Sequence, residues 1–417
     1  MKFKILFFSI LLLTNLFSKS WSSANIANAR SIGLAEAYVG LARGVDAPLW
    51  NPANLGLKDN SRLSLTILNF GANVYNNSFT KSQYETYNGA YWSDEDIEDI
   101  LNSIPDDGFK LSVNNAGQLA SFASGRFAFT VEVLMESKIK LVKDFFDFLL
   151  CANTNKDKHS FDNCDGEAWA IMSYNLSGAM PLQLSYFKEV AIGATVKYLQ
   201  GFGYFNIIKT EGSRITTSEG ETAVGLIEME NAGKGRGIAF DLGAAAKINN
   251  CWTVSLGLKN IISNINWNRN AEKKYYSFSM NSVDLFSIVD QDSIIENNEA
   301  EEKLSSISSS LPAELYLGTV YYHNKFSVVT SLIQGFSDRP NTSVIPKIAA
   351  GIEYNIVPWF PIRTGISIGG NTKFSSAFGI GFKYSAFAID FGISNNGGFM
   401  LHNQKGANMA LSMGLEF

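Results

Sequence analysis

The chain has 417 residues, with 34 Lys and Arg against 39 Asp and Glu, a net charge of −5 that excludes the basic surface nucleic-acid binding requires. Only 18% of residues are charged, while Gly (35) and Phe (30) are abundant and Pro (9) is scarce. Soluble domains carry roughly a quarter charged residues, so this composition suits long glycine- and aromatic-bearing strands better than a soluble helical fold.

The first twenty residues, "MKFKILFFSILLLTNLFSKS", place Lys2 and Lys4 before an apolar run from Ile5 to Phe17. That run is about 13 residues, too short for a membrane helix and the right length for a secretory signal. Residues 1–20 are therefore expected to be a cleaved export signal. Ser18, Ser20, Ser22 and Ala24 all offer cleavage positions, and the sequence does not choose among them. No later run of 18 apolar residues exists, so no helix is expected to span a membrane. Residues 21–60 follow, mildly apolar and rich in small side chains. Within them, "DAPLWNPANLG" (46–56) predicts two tight turns: Asp46 caps one containing Pro48, and Asn51 caps a second with Pro52 at its first position.

From residue 61 the pattern changes to period 2. Strands are predicted near 61–75, 115–124, 126–140, 165–179, 189–208, 235–248 and 251–266. They continue near 311–322, 325–336, 346–356, 361–370, 374–384, 386–394 and 406–417. Val190, Ile192, Ala194, Val196 and Tyr198 alternate with Ala191, Gly193, Thr195 and Lys197; Phe378, Ile380, Phe382 and Tyr384 alternate with Ala377, Gly379, Gly381 and Lys383. One face is bulky and apolar, the other small with charges at mid-strand. A membrane barrel turns the first to lipid and the second to its lumen. Connections alternate between short turns and long polar stretches at 76–114, 141–164, 209–234 and 267–310, as in an up-and-down outer-membrane barrel. Lys197, Asp241, Lys259, Arg363, Lys383 and Asp390 are the expected polar residues of the lumen.

The long connections carry local signals. "SDEDIEDILNSIP" (93–105) predicts a short helix capped by Ser93 and stopped by Pro105, and 141–153 a short amphipathic helix. Loop helices beside the mouth are expected to shape an apolar groove, and 290–303 is acidic and solvated. In an oxidising compartment Cys151 and Cys164 are a candidate disulfide, the alternative being free thiols. The chain ends "NMALSMGLEF", with Met409, Leu411, Met413, Leu415 and Phe417 on one face. This is similar to the signal by which the barrel assembly machinery recognises outer-membrane strands. The three histidines, His159, His323 and His402, lack a nucleophile motif or a paired metal spacing. Neither an enzyme, a metal nor a cofactor is expected.

A barrel of fourteen strands is too wide for small inward side chains to fill. The segment 21–60 is the one long piece outside the strands and loops, and is expected to enter the lumen. There "SIGLAEAYVGLARGVDAPLWNPANLG" resembles the N-terminal hatch of the FadL/TodX family of outer-membrane hydrophobic-compound transporters, including its Asn-Pro-Ala motif at Asn51, Pro52 and Ala53. PorV-like barrels of the type IX secretion system are similar in this region. The resemblance implies an all-β, 14-stranded barrel over 61–417, in the outer membrane of a Gram-negative cell, with a hatch at 21–60. Trp50 and Leu55 are expected to anchor that hatch. It also implies passive uptake of hydrophobic small molecules such as fatty acids by a monomer in contact with outer-membrane lipid. The alternative is a PorV-like barrel serving protein export or envelope organisation.

Overall fold

The computed structural model describes residues 28–150, 158–217, 220–283, 295–398 and 401–417. The expected export signal and Cys151 lie outside the described residues.

Fourteen antiparallel strands close into a barrel. They are β1 (Leu63–Asn76), β2 (Phe109–Ser124), β3 (Phe127–Leu141), β4 (Asp165–Leu182), β5 (Glu189–Thr217), β6 (Lys234–Lys247) and β7 (Trp252–Arg269). The ring continues with β8 (Glu314–His323), β9 (Phe326–Gly335), β10 (Lys347–Val357), β11 (Phe360–Gly369), β12 (Lys373–Tyr384), β13 (Phe387–Asn396) and β14 (Gly406–Glu416). Each pairs with its neighbour, and β14 closes on β1 from Ser64↔Glu416 to Tyr75↔Gly406. The C-terminal apolar face lies on this closing strand, where Phe417 N donates to Leu63 O at 2.8 Å.

The side-chain pattern is inverted relative to a soluble sheet. Ile192, Val196 and Tyr198 of β5 are exposed, whereas Ala191, Thr195 and Lys197 are buried. Phe378, Ile380 and Phe382 of β12, Ile366 and Ile368 of β11 and Met409 of β14 are likewise exposed. A wall with this much apolar surface outside and polar groups inside is stable in lipid, where closure leaves no free sheet edge.

Three expected loops contain strands, among them the short Lys158–Ser160, which pairs with the outer part of β5. β5 runs on to Thr217 rather than ending near 208, and its outer half pairs with Gly220–Ala232. That segment pairs with Glu272–Val283, which pairs with Ile295–Lys303. These strands mix apolar and charged side chains without strict alternation, and cross-strand pairs such as Lys273–Glu228 and Lys274–Glu301 add to their backbone pairing. Residues 297–303 are exposed, as their acidity suggested. The structure also starts β2 at Phe109, earlier than 115.

The helix Asp94–Asn102 forms as its sequence predicts. Ser93 and Asp96 make a reciprocal capping box, acids occupy the first turn, and Ile97, Ile100 and Leu101 are buried. A second helix, Lys81–Tyr87, precedes it with its own capping box from Thr80 and Gln83. A third spans Lys143–Leu149.

Candidate functional site

Residues 28–60 lie within the ring. The segment touches opposite walls: Ala29 N donates to Ser412 Oγ of β14 at 2.9 Å, and Asn51 Nδ2 donates to Ala244 O of β6 at 2.9 Å. Its path is set by short local elements. Asn28 caps the turn Ala29–Gly33 by accepting from Ser31 N, and Asn51 caps Pro52–Gly56 by accepting from Ala53 N. Pro52 at the first helical position loses no hydrogen bond there. Trp50, Asn51, Ala53 and Leu55 are almost fully buried, and Pro52 is buried with them.

The small inward residues of the wall now have a reason. A Cβ at Gly243 would collide with the Asn51 side chain, and one at Gly193 would collide with Pro52 and Ala53. Gly257 lies against the Trp50 carbonyl, Gly318 against Val39, and Gly365 against Leu34. The wall has been emptied where the segment packs. Trp50 stands edge-on between Tyr38 and Tyr316, both ring centroids 5.7 Å away. Leu55 packs with Ala47, Ala123 and Ala128. Asn54, which motif reasoning passed over, donates to Val39 O at 2.8 Å and Ala42 O at 3.2 Å and accepts from Ser255 Oγ at 2.9 Å.

Asp46 departs from its expected role. Its side chain does not cap the following helix, Ala47–Trp50. The carboxylate instead accepts from Asn28 Nδ2 at 2.8 Å and Tyr38 OH at 2.9 Å. Burial pushes the Asp46 carboxyl up to about 6, partly offset by the Tyr38 hydrogen bond.

Five of the six expected lumen charges are inside, and four of them pair with one another. Lys197 meets Asp241 at 2.7 Å and donates to Asn260 Oδ1 at 2.9 Å. Lys259 lies 5.4 Å over the Tyr316 ring. Arg363 donates to Glu353 at 2.6 Å and to Asp390 at 2.5 Å. Glu353 also takes both donors of Arg30, each at 2.7 Å, so one buried chain of charges ties the segment to β10, β11 and β13. Neither Arg30 nor Glu353 stood out in the sequence, because partners 323 residues apart have no local signature. Lys383 differs. It sits beside the turn into β13, on the second-last rung opposite Ala388 rather than at mid-lumen, and pairs there with the half-exposed Glu416 at 3.1 Å.

Above the segment the interior is mixed, with Glu132, Asn175, Lys197 and Asp241 buried beside apolar side chains. A single cluster of buried side chains runs from Tyr204, Trp267, Ile307 and Leu311, at the end bearing the long connections, through Leu199 and Tyr316 to Trp50, Tyr38 and Leu34. Trp267 stacks on Tyr204 with centroids 5.3 Å apart and donates to Ser309 Oγ at 2.8 Å. The sequence signal was present, an aromatic on the nominally small face of β4, β7 and β8. It reads as noise in an alternation count.

The wall has several irregularities, one of them between β1 and β2. The β1–β2 ladder passes from Leu65↔Phe122 to Asn69↔Gln118 without pairs between. Ala120 there adopts φ +40°, and Ser121 turns its hydroxyl to accept from Val131 N of β3. Val45 of the segment leans on this place, accepting from Gln118 Nε2 and donating to Ser64 Oγ, both at 3.0 Å.

The expected apolar groove is present, with a volume of 370 Å³. Phe79, Tyr84, Trp92, Ile100 and Phe109 form its sides, and the outward-facing Met409 is part of its floor. It therefore lies beside the wall, not in the lumen. Near it His159 comes together with Asp144 and Asp147, their ligand atoms within 4.8 Å of one another. Spacing could not show this grouping, and each of the three has further partners. Burial pushes the Cys164 thiol up.

Residues 52–231 and 215–393 match the Family of unknown function (DUF5723), together well over half of the chain. The chain belongs to the DUF5723 family. No curated protein matches its sequence. Among solved structures, this DUF5723 chain is similar to a FadL homologue from Pseudomonas aeruginosa at 14% identity, TM-score 0.50, covering 94% of this chain and 98% of that one. It is also similar to a deltaS2 mutant of the TodX monoaromatic hydrocarbon channel at 10% identity, TM-score 0.53, covering 94% and 100%. The DUF5723 barrel thus has the FadL/TodX-like fold over nearly its whole length. The family match begins at Pro52, inside the Asn-Pro-Ala motif.

Proposed function

We propose that this DUF5723 protein is a passive outer-membrane channel for hydrophobic small molecules, with residues 28–60 as its plug. The observation that carries the reading is the buried apolar run from Tyr204 and Trp267 to Trp50. A porin for polar solutes needs a wet, polar lumen; an apolar run through the interior favours solutes that avoid water. The long connections then face the cell exterior and the short turns the periplasm, from which the plug enters. The groove beside the mouth offers a first landing place. The interrupted β1–β2 ladder offers a sideways exit into the membrane. Export by residues 1–20, assembly through the C-terminal strand and a monomeric state complete the proposal, and the chemistry is passage rather than catalysis.

A second reading has one observation of its own: the groove lies outside the wall, where a docking barrel of the PorV kind would present a surface. Native mass spectrometry of the detergent-extracted protein separates the two. The channel reading expects an apolar small molecule retained by the barrel. A stoichiometric exported protein with no apolar ligand would overturn it.

A further inference from the structure

We propose that the connection between β9 and β10, residues 336–346, is an outer gate. It is a strap laid across the mouth and latched to the far wall by two complementary ion pairs. β9 and β10 stand six steps round a ring of fourteen from β3 and β4, so the two pairs of strands face each other across the lumen. On the far wall Lys138 of β3 and Glu167 of β4 are cross-strand neighbours on the inner face. The strap meets them with consecutive charges of opposite sense. Lys138 Nζ donates to Asp338 Oδ1 at 2.5 Å. Arg339 Nε donates to Glu167 Oε2 at 2.8 Å, and its Nη2 reaches the other oxygen of the same carboxylate. Sliding the strap by one residue would set like charges together, so the pairs fix its position as well as its attachment.

Two further contacts complete the latch. The Arg339 guanidinium lies 5.1 Å over the Trp169 ring, and its Nη1 donates to Ser310 O at 2.6 Å. On the near side the Thr342 carbonyl accepts from Asn371 Nδ2 at 3.0 Å. Below the strap lies a polar chamber of 80 Å³, lined by Asn341 and Thr342 above and by Ser112, Lys347 and Glu36 around and beneath. Lys347 and Glu36 pair at 2.6 Å, which joins the chamber floor to the N-terminal segment.

The strap is held by polar contacts. Its large apolar side chains, Phe336, Val344 and Ile345, are exposed. With these side chains and Asp338 facing water, little apolar burial fixes the strap, which marks the segment as able to lift while the barrel stays intact. The inference rests on the channel reading for what passes, but not for the closure itself.

The test uses the full-length protein in cells. Ser112→Cys places a thiol in the chamber, in a background with Cys151, Cys164 and Cys251 changed to Ser. A membrane-impermeant maleimide is added outside. Labelling is expected to be slow in this parent and about tenfold faster when Asp338→Ala and Arg339→Ala are added. Lys138→Glu combined with Asp338→Lys is expected to return it to the slow rate, and high salt to speed the parent without any further change. Equal labelling with and without the latch, or fast labelling in the parent, would overturn the gate. Labelling that follows the latch while apolar uptake does not would leave the gate standing and remove the channel reading.

Discussion

In the half of the lumen nearer the short turns, Trp50 sits between two tyrosines, and Asn51 and Asn54 bind backbone carbonyls. At the outer end, Asp338 and Arg339 reach across open width to Lys138 and Glu167. The floor is held by shape: glycines on the wall admit the segment, and removing either partner leaves a cavity or a collision. The roof is held by charge, with Asp338 half exposed and Lys138, Glu167 and Arg339 more covered. The contrast assigns rigidity to the plug and mobility to the strap, and it can be broken at either end.

The largest effect is expected from removing residues 25–56. The barrel should still fold, since its ladder closes without them, and its ion conductance in planar bilayers should change. Unaltered leak would remove the plug assignment. Next comes Glu353→Ala, which leaves Arg30 and Arg363 without their shared buried partner. Breaking such a pair costs about 3–5 kcal/mol, to be read as a lowered unfolding temperature together with raised conductance. Gly243→Val should displace Asn51 at a cost of about 1–3 kcal/mol, visible as conductance spikes with little change in barrel stability. A global loss of stability equal to that of Glu353→Ala would show that the segment is not a separable unit.

A smaller effect concerns pH. A carboxyl raised in the folded state holds its proton there more readily than in the unfolded chain. Its contribution is therefore complete below the unfolded value, near 3.8, and is lost as pH rises through about 6. Plug docking is expected to tighten between pH 7 and pH 5. Conductance should fall over that range in the wild type and stay flat in Asp46→Asn, in which Tyr38, Asn28, Arg30 and Glu416 still surround the site. The smallest effect belongs to Lys383→Ala, whose exposed pair with Glu416 should change stability by less than about 1 kcal/mol.

Some of this was legible in the sequence, for physical reasons that differ by element. The fourteen strands were visible because lipid on one side and a polar lumen on the other force strict alternation, as in β5 and β12. Asn51 and Ser93 were visible because capping is local: the partner lies two or three residues away. Asp46 looked equally local and was not, since Tyr38 and Asn28 claim its oxygen in three dimensions. The strands Gly220–Ala232 and Glu272–Val283 lack strict alternation and so carry no period-2 signal. The strap was hidden because its partners lie 200 and 172 residues away. The inward aromatics were hidden for another reason, since Trp169 and Trp267 break the very pattern by which their strands are found.

The most direct measurement is uptake of radiolabelled long-chain fatty acid and of toluene by cells lacking the gene and by the same cells complemented with it. The account predicts that uptake of at least one falls without the gene, returns with the wild type, and stays low with Leu199→Lys, which puts a charge in the apolar run. Equal uptake in all three strains, with the barrel present in the outer membrane, would contradict it.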